Sequence, residues 1–431
     1  EFTTYQLELP NASDALVDES LKLLRETASE LSFNAQAIDR ERGVVLSEYR
    51  RGDTFQRRRS DQQLAFLIPG AYANSRMPIG DPTVVETAMR DMMVSLYERY
   101  YRPERTVMIL VGDFNVDAIE KKLTATFGDW AGKGEPGKDP DESYTLQPRK
   151  SDASVFVHKD GGDSISVYSL MPYANLTDTA AQRREDNLLM FAIGAIGRRL
   201  APMANEDDPP FRSAGLTTGD ILEAVNISAG TVTVTPDNWK AGLQRLEQEW
   251  RRARLYGFTK DEIDRQIEAL HTSQKNQVER ENTRTTGALM QSLLSSVQNE
   301  TVFATPSSGQ ARLETWAGAV TPEMVSDRFR KRMPMKDPLF FAASTVERKP
   351  ADIVAAWEES AMVDVSPPET KARIPFAYTN FGRPGKVVSD TRLTDIDTRL
   401  LVFANNVRLN IKKTSFTRNT VQVSVRVGEG N

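Results

Sequence analysis

The chain has 431 residues, with 55 Lys and Arg against 60 Asp and Glu, and this formal net charge of −5 argues against nucleic-acid binding through bulk charge. A hydrophobic fraction of 39% and a charged fraction of 27% are typical of a globular protein. The sequence has no apolar run near the ~18 residues of a membrane span. It lacks Cys and contains only His158 and His271, which excludes disulfides, thiolate zinc sites and, unless these two residues meet, a histidine-built metal site or a Ser-His-Asp triad.

The first part of the chain predicts an α/β module over residues 1–131. Residues 5–9 alternate as a strand does, and neither an initiator Met nor a signal peptide precedes them, so we expect the chain to begin inside a domain. The pattern then predicts helices at 13–31, after Phe33, at 93–101 and at 116–127, with a strand at 106–111.

A Gly- and Pro-rich linker is predicted at 132–153, and a second module at 154–362. This module is expected to open with a hairpin of strands 154–159 and 164–171 around the turn Asp160-Gly161-Gly162-Asp163. Further elements follow in chain order: a helix at 180–200, strands between 212 and 235, helices at 238–255 and after Phe258, a helix at 324–333, a strand at 339–344 and a helix at 350–359.

The two modules read as copies of one unit. Pro10 aligns with Pro236, and Phe33-x4-Ile38-Asp39-Arg40 has the same spacing as Phe258-x4-Ile263-Asp264-Arg265. The alignment predicts an α+β fold of tandem homologous α/β-layer modules, each a mainly antiparallel sheet covered by helices. It also predicts that the first module lacks the opening hairpin and first helix found at 154–229 of the second.

A second linker is predicted at 363–392, and the start of a third module at 393–431. Strands at 399–403, 407–412 and 420–427, with a turn at Asn405-Asn406, resemble the opening of the second module. The third copy is therefore expected to begin here and to be cut off at Asn431.

Glu41 and Glu48 lie in the helix after Phe33, only about 20° apart around its axis and about 10.5 Å apart along it. We therefore expect one of them to bind a metal ion directly and the other to orient a ligand or water. The alternative is a solvated face on which Arg42, Arg50 and Arg51 pair with the carboxylates. The aligned positions in the second module are Gln266 and Ser273, which favours a role beyond folding for the first pair.

Several segments occur in a recognisable order: residues 33–51, Pro78 to Thr83, the helix end 96–103 and Val111-Gly112-Asp113. In these segments, and over essentially the whole chain, the sequence resembles the pitrilysin/insulysin metallopeptidases. The resemblance implies half of a clam-shell peptidase whose zinc is bound by an inverted His-x-x-Glu-His motif and a later Glu. By similarity Glu48 is that later ligand, and Glu41 is the carboxylate that supports it.

The chain departs from the family at the motif itself. Neither His158 nor His271 lies in a His-x-x-Glu-His, so the catalytic Glu and both histidine ligands are expected upstream of Glu1. The corresponding helix of the second module, at 188–199, has no His, and that module is predicted to be non-catalytic. For this chain alone we expect weak or no zinc binding and no peptide cleavage.

Two functions remain open on the sequence. The first is a zinc-dependent endopeptidase or oligopeptidase, incomplete and inactive as this chain alone, that degrades peptides or unfolded proteins captured on a sheet edge. The second is a non-catalytic substrate-binding or assembly subunit of the same family. Either would work with a C-terminal half or partner subunit that closes the chamber, with no nucleic acid and no membrane span. A bacterial periplasm or envelope location is predicted, with the cytoplasm as the alternative.

Overall fold

A computed structural model describes residues 2–368, 379–414 and 421–428. They divide into two compact units, one formed by Glu1–Glu268, Thr286–Phe303 and Trp316–Pro368 and the other by Ala269–Thr285, Ala304–Thr315 and Glu369–Asn431. The helices are α1 (Asp14–Ser29), α2 (Ala35–Arg51), α3 (Phe55–Leu67), α4 (Pro82–Thr87), α5 (Arg90–Tyr100), α6 (Val116–Phe127), α7 (Ala180–Leu200), α8 (Trp239–Tyr256), α9 (Lys260–Glu279), α10 (Thr286–Gln298), α11 (Pro306–Trp316), α12 (Pro322–Arg332) and α13 (Pro350–Ala361). The strands are β1 (Asp152–Val157), β2 (Ser164–Pro172), β3 (Ser213–Ile221), β4 (Val225–Thr233), β5 (Leu339–Ser344), β6 (Val387–Leu393), β7 (Thr398–Phe403) and β8 (Arg408–Lys412).

The five-stranded sheet of the first unit has the order β1-β5-β2-β4-β3. The predicted hairpin of 154–159 with 164–171 is wrong, because β5 lies between β1 and β2, parallel to the first and antiparallel to the second. Every residue of β5 is buried, and a strand buried on both faces belongs in the middle of a sheet. The Asp160 to Asp163 segment is therefore a wider connection and not a two-strand turn.

Helices cover one face of this sheet. Trp250 and Leu246 of α8 approach β4 so closely that a Cβ at Gly230 would lie 3.0 Å from each of them. The ring of Trp357 in α13 packs edge-on against Phe340 of β5, with centroids 5.4 Å apart. The α+β fold of a largely antiparallel sheet under helices is confirmed.

The opposite face of the same sheet is covered by α3, which the sequence assigns to the first module. Leu67 is 1% exposed and forms a cluster with Tyr168, Ala229, Leu339 and Phe341. Gln62 Nε2 donates to Ser154 Oγ at 3.0 Å and to the Val155 carbonyl at 3.1 Å. The sheet therefore lies between the helices of its own module on one face and α3 on the other.

The first module has a helical core of its own. Val17 and Leu21 of α1 pack against Ile119 of α6, with Met108 and Leu110 partly buried beside them. The strands predicted at 5–9 and 106–111 are not formed, since neither segment has a ladder partner among the described residues.

The second unit contains the three-stranded antiparallel sheet β6-β7-β8. Strands β7 and β8 confirm the predicted strands at 399–403 and 407–412, with Asn406 at a positive φ of 66° in the turn. Six of the seven residues of strand β6 fall inside the predicted linker 363–392, so the sequence did not predict this strand. Of the strand predicted at 420–427, Thr420 lies outside the described residues, and residues 421–427 form no strand.

Candidate functional site

Helix α2 carries both candidate glutamates, and hydrogen bonds hold its first turn and its middle. The Asn34 side chain caps its first turn by accepting the Ala37 N–H at 3.1 Å. Further along, the Arg42 guanidinium donates to the carbonyls of Val85 and Ala88, the latter at 2.8 Å, and so holds α2 against α4. Because charge-assisted hydrogen bonds of this kind are strong, we expect α2 to keep its rotation about its own axis.

The glutamate face of α2, formed by Glu41, Val44 and Glu48, is open to solvent. All three residues are exposed, and Val44 is 50% exposed. Exposure of this apolar side chain to water is energetically unfavourable. Glu41 has an ion pair with Arg40 at 3.6 Å between two highly exposed side chains, which contributes little. Within the described part of the chain, the Glu48 carboxylate has no hydrogen bond or ion pair. Among the described residues Arg42, Arg50 and Arg51 form no ion pair with either glutamate; Arg42 pairs with Asp39, and Glu41 pairs with Arg40.

A complete zinc site is not formed by the residues that the structure describes. Among them, no group of three or more His, Cys, Asp or Glu side chains is arranged to hold a metal ion. A structural or catalytic zinc site needs at least three protein ligands, and the glutamate face offers carboxylates only. The glutamate face therefore cannot form a zinc site by itself, although it can supply one carboxylate ligand to such a site.

His158 has a structural role where the two modules meet. Its ring stacks on Phe55 at the start of α3, with centroids 4.5 Å apart and planes at 11°, and Phe156 stacks at 6.4 Å. Its Nδ1 accepts the Asp160 N–H at 3.2 Å. His271 lies on α9, in the part of that helix that belongs to the second compact unit.

In the second module, the residue that the sequence alignment matches to Glu41 is Gln266, and its side chain contacts a neighbouring helix. Gln266 of α9 lies against α7, where a Cβ at Gly194 would be 2.4 Å from Gln266 Oε1. The same two helices are joined by Arg199, which donates to both oxygens of Glu262 at 2.6 and 2.8 Å. Burial opposes ionisation of Glu262, but the hydrogen bonds from Arg199 and Thr259 outweigh it and lower the pKa of Glu262.

The sequence reading missed α3 as the element that links the glutamate helix to the second module. Leu64, Leu67, Ile68 and Ala71 recur at the spacing of one helix face, and that periodicity marked a buried stripe. Glu48 lies in the last turn of α2, and residues 52–54 join α2 to this anchored helix.

Comparison with known proteins agrees with this architecture. A family model described as the Peptidase M16 inactive domain matches residues 88–270. A zinc protease PQQL-like protein of Arabidopsis thaliana is 25% identical over 224 residues, which are 52% of this chain and 23% of that protein. The probable zinc protease PqqL of Escherichia coli (strain K12) is 24% identical over 311 residues, 70% of this chain and 32% of that protein.

Over residues 88–270 the chain matches an M16 family model, and it is similar to peptidases of the pitrilysin/insulysin type. It spans about a third or less of the length of these curated M16 relatives. Two solved structures share its fold. The periplasmic protease PqqL from Escherichia coli has a TM-score of 0.74 at 18% identity, with 94% of this chain and 45% of that chain covered. Pitrilysin has a TM-score of 0.58 at 14% identity, with 94% of this chain and 43% of that chain covered. The ferredoxin protease FusC in complex with Arabidopsis ferredoxin has a TM-score of 0.69 at 16% identity, with 93% of this chain and 45% of that chain covered. None of the described helices is long and apolar enough to cross a membrane.

Proposed function

We propose that this chain is part of an M16 zinc peptidase in which Glu48 is a metal ligand and Glu41 a supporting carboxylate. One observation carries the proposal: the Glu48 carboxylate is exposed and unpaired among the described residues, on a face whose aligned position in the second module packs against a helix. By that alignment, we infer that in the complete gene product the glutamate face packs against a helix equivalent to α7. Such a helix would bring the histidine ligands and the general base to Glu48.

The proposed activity is hydrolysis of peptide bonds in peptides or unfolded proteins. The named relatives support it, since two are described as zinc proteases and FusC is seen with a protein bound. Their lengths also support a second half or partner subunit that closes a chamber over the substrate. The periplasmic PqqL supports a bacterial periplasmic location.

In this proposal the modules have different tasks. The first holds Glu48, while the second, which has Gln266 and Ser273 at the aligned positions, is a non-catalytic support for α3 and hence for α2. The match of residues 88–270 to an inactive-domain model covers α5 and α6 of the first module as well as most of the second, and it leaves the glutamate helix α2 outside the matched range.

The experiment compares the complete gene product with its variants Glu48→Gln and Ser273→Ala on a quenched fluorescent peptide. Glu48→Gln removes the ligand charge and should reduce cleavage to the uncatalysed background, while Ser273→Ala, its match in the second module, should leave cleavage unchanged. Circular dichroism controls for folding. Undiminished cleavage by Glu48→Gln would contradict the proposed role.

The second candidate is a non-catalytic substrate-binding or assembly subunit. It is favoured by the inactive-domain match and by the lack of a three-residue metal cluster in the described residues. If the wild-type complete gene product binds peptides but neither binds zinc nor cleaves them, this second function replaces the first.

A further inference from the structure

Five arginines gather where α2 turns into α3. We call Arg50, Arg51, Arg57, Arg58 and Arg59 the arginine corner; the turn of Gly52, Asp53 and Thr54 joins its two parts. Thr54 caps α3 by accepting the Arg57 N–H at 3.3 Å, so the two groups are held on consecutive helix ends. The corner is strongly positive in a chain whose formal net charge is −5.

Only part of this charge is neutralised within the chain. Arg58 pairs with Asp53 at 3.3 Å, and Arg57 pairs with Asp61 at 3.7 Å while lying over the Tyr49 ring. The other three arginines of the corner have no carboxylate partner within the described residues. Arg50 and Arg51 are exposed, and Arg51 Nε reaches only the Ser47 carbonyl of its own helix, at 3.4 Å.

Arg59 is set back toward the sheet. It lies near the Tyr168 hydroxyl, where burial raises the pKa of Tyr168 and the positive charge of Arg59 opposes that rise. Gln63 donates to the same hydroxyl. The positive charge of the corner thus extends from the end of α2 to the surface of the sheet.

The corner adjoins the glutamate face. Arg51 follows Glu48 by three residues, which places it about 60° around the helix and about 4.5 Å along it. An i, i+3 pair of this kind is close enough for a salt bridge, yet none is formed. Among the residues that the structure describes, Arg51 is thus a cation without a carboxylate partner, within one turn of the carboxylate proposed to bind metal.

We propose that the arginine corner recognises acidic polypeptide segments and so directs the peptidase toward substrates with Asp or Glu near the cleavage site. The inference deepens the proposed function, on which it rests for the identity of the bound peptide as substrate. Guanidinium groups match carboxylates in bidentate geometry, and an exposed cluster of them attracts anionic segments over about a Debye length. The nearby carboxylates at 41, 48 and 53 disfavour the continuous phosphate backbone of a nucleic acid, whereas separate side-chain carboxylates can pair with individual arginines.

The test is binding of a fluorescein-labelled peptide rich in Glu, compared with the same peptide carrying Gln in place of Glu, to the complete gene product by fluorescence anisotropy. At low salt we expect the Glu peptide to bind about fivefold to tenfold more tightly, with the difference shrinking as salt screens the charges. Arg50→Gln combined with Arg51→Gln should remove most of this preference. Lys331→Gln combined with Lys349→Gln makes the same change of net charge at exposed positions of the second module and should keep it.

Equal binding of the two peptides by the wild type would overturn the proposal, as would an unchanged preference in the arginine variant. Tighter binding of single-stranded DNA than of the Glu peptide would assign the corner to nucleic acid instead. The anisotropy measurement needs no metal, so it is independent of the zinc ligand. If Glu48→Gln abolishes cleavage but the wild type binds both peptides equally, only the role of the arginine corner is refuted. If the wild type prefers the Glu peptide but Glu48→Gln leaves cleavage unchanged, only the metal-ligand role of Glu48 is refuted.

Discussion

Truncation of Leu67 tests whether the second module holds the glutamate helix in place through α3. Leu67 is 1% exposed, and its neighbours Tyr168, Leu339 and Phe341 lie on strands whose backbones cannot move inward to fill a gap. Leu67→Ala removes three carbons, about 2.4 kcal/mol at about 0.8 kcal/mol each. The cavity left behind adds about 1 kcal/mol. The free energy of unfolding should therefore fall by about 3 kcal/mol.

Urea unfolding followed by tryptophan fluorescence measures this change, since Trp250 lies in the core on the other face of the same sheet. The matched control is Leu96→Ala, because Leu96 is 60% exposed and its truncation should change the free energy by less than about 0.5 kcal/mol. Limited trypsin digestion should also cut Leu67→Ala faster within Arg57 to Arg59, as α3 separates from the sheet. A loss below about 1 kcal/mol, or unchanged cutting there, would refute the packing argument.

Two further variants probe the contacts around the site. Glu262→Gln should lower the free energy of unfolding by about 2 kcal/mol at pH 7, because it weakens the ion pair with Arg199. Folding lowers the pKa of Glu262, so the carboxylate stabilises the fold fully at pH values above its unfolded-state pKa of about 4.3, and this stabilisation is lost as the pH falls through the lower pKa of the folded state. Urea midpoints at several pH values should show the gap between wild type and variant closing in acid, and a gap independent of pH would contradict the assignment. Phe55→Ala should lower the free energy of unfolding by about 1 kcal/mol, because it removes the aromatic stack on His158. Amide hydrogen exchange at the end of α2 should become faster in this variant. Phe55→Trp keeps an aromatic ring at this position, and its amide exchange should match that of the wild type.

Local patterns were enough to predict most helices and the strand β5 but not the order of the sheet. Residues 180–200 and 116–127 carry complete helical periodicity, and α7 and α6 have those bounds. The position of β5 between β1 and β2 depends on contacts between residues far apart in sequence, which the Gly-rich turn at 160–163 does not encode. The continuous apolar run of β5 was the available sign that it is a central strand.

For the candidate site, the sequence predicted the local arrangement of the glutamates but not the distant contacts around them. The spacing of Glu41 and Glu48 placed them on one face of α2, and the structure has them both exposed there. The periodicity around Leu67 marked a buried stripe on α3, but it did not identify the sheet as the surface that covers it. The stacking of His158 on Phe55 was likewise not predictable, because the two residues are far apart in sequence.

The most direct test of the central claim is the zinc content of the complete gene product after dialysis, measured by mass spectrometry for the wild type and Glu48→Gln. If Glu48 is a metal ligand, the wild type retains one zinc per active site and the variant loses it, because removing one of three protein ligands leaves two. Full retention of zinc by Glu48→Gln would contradict the account.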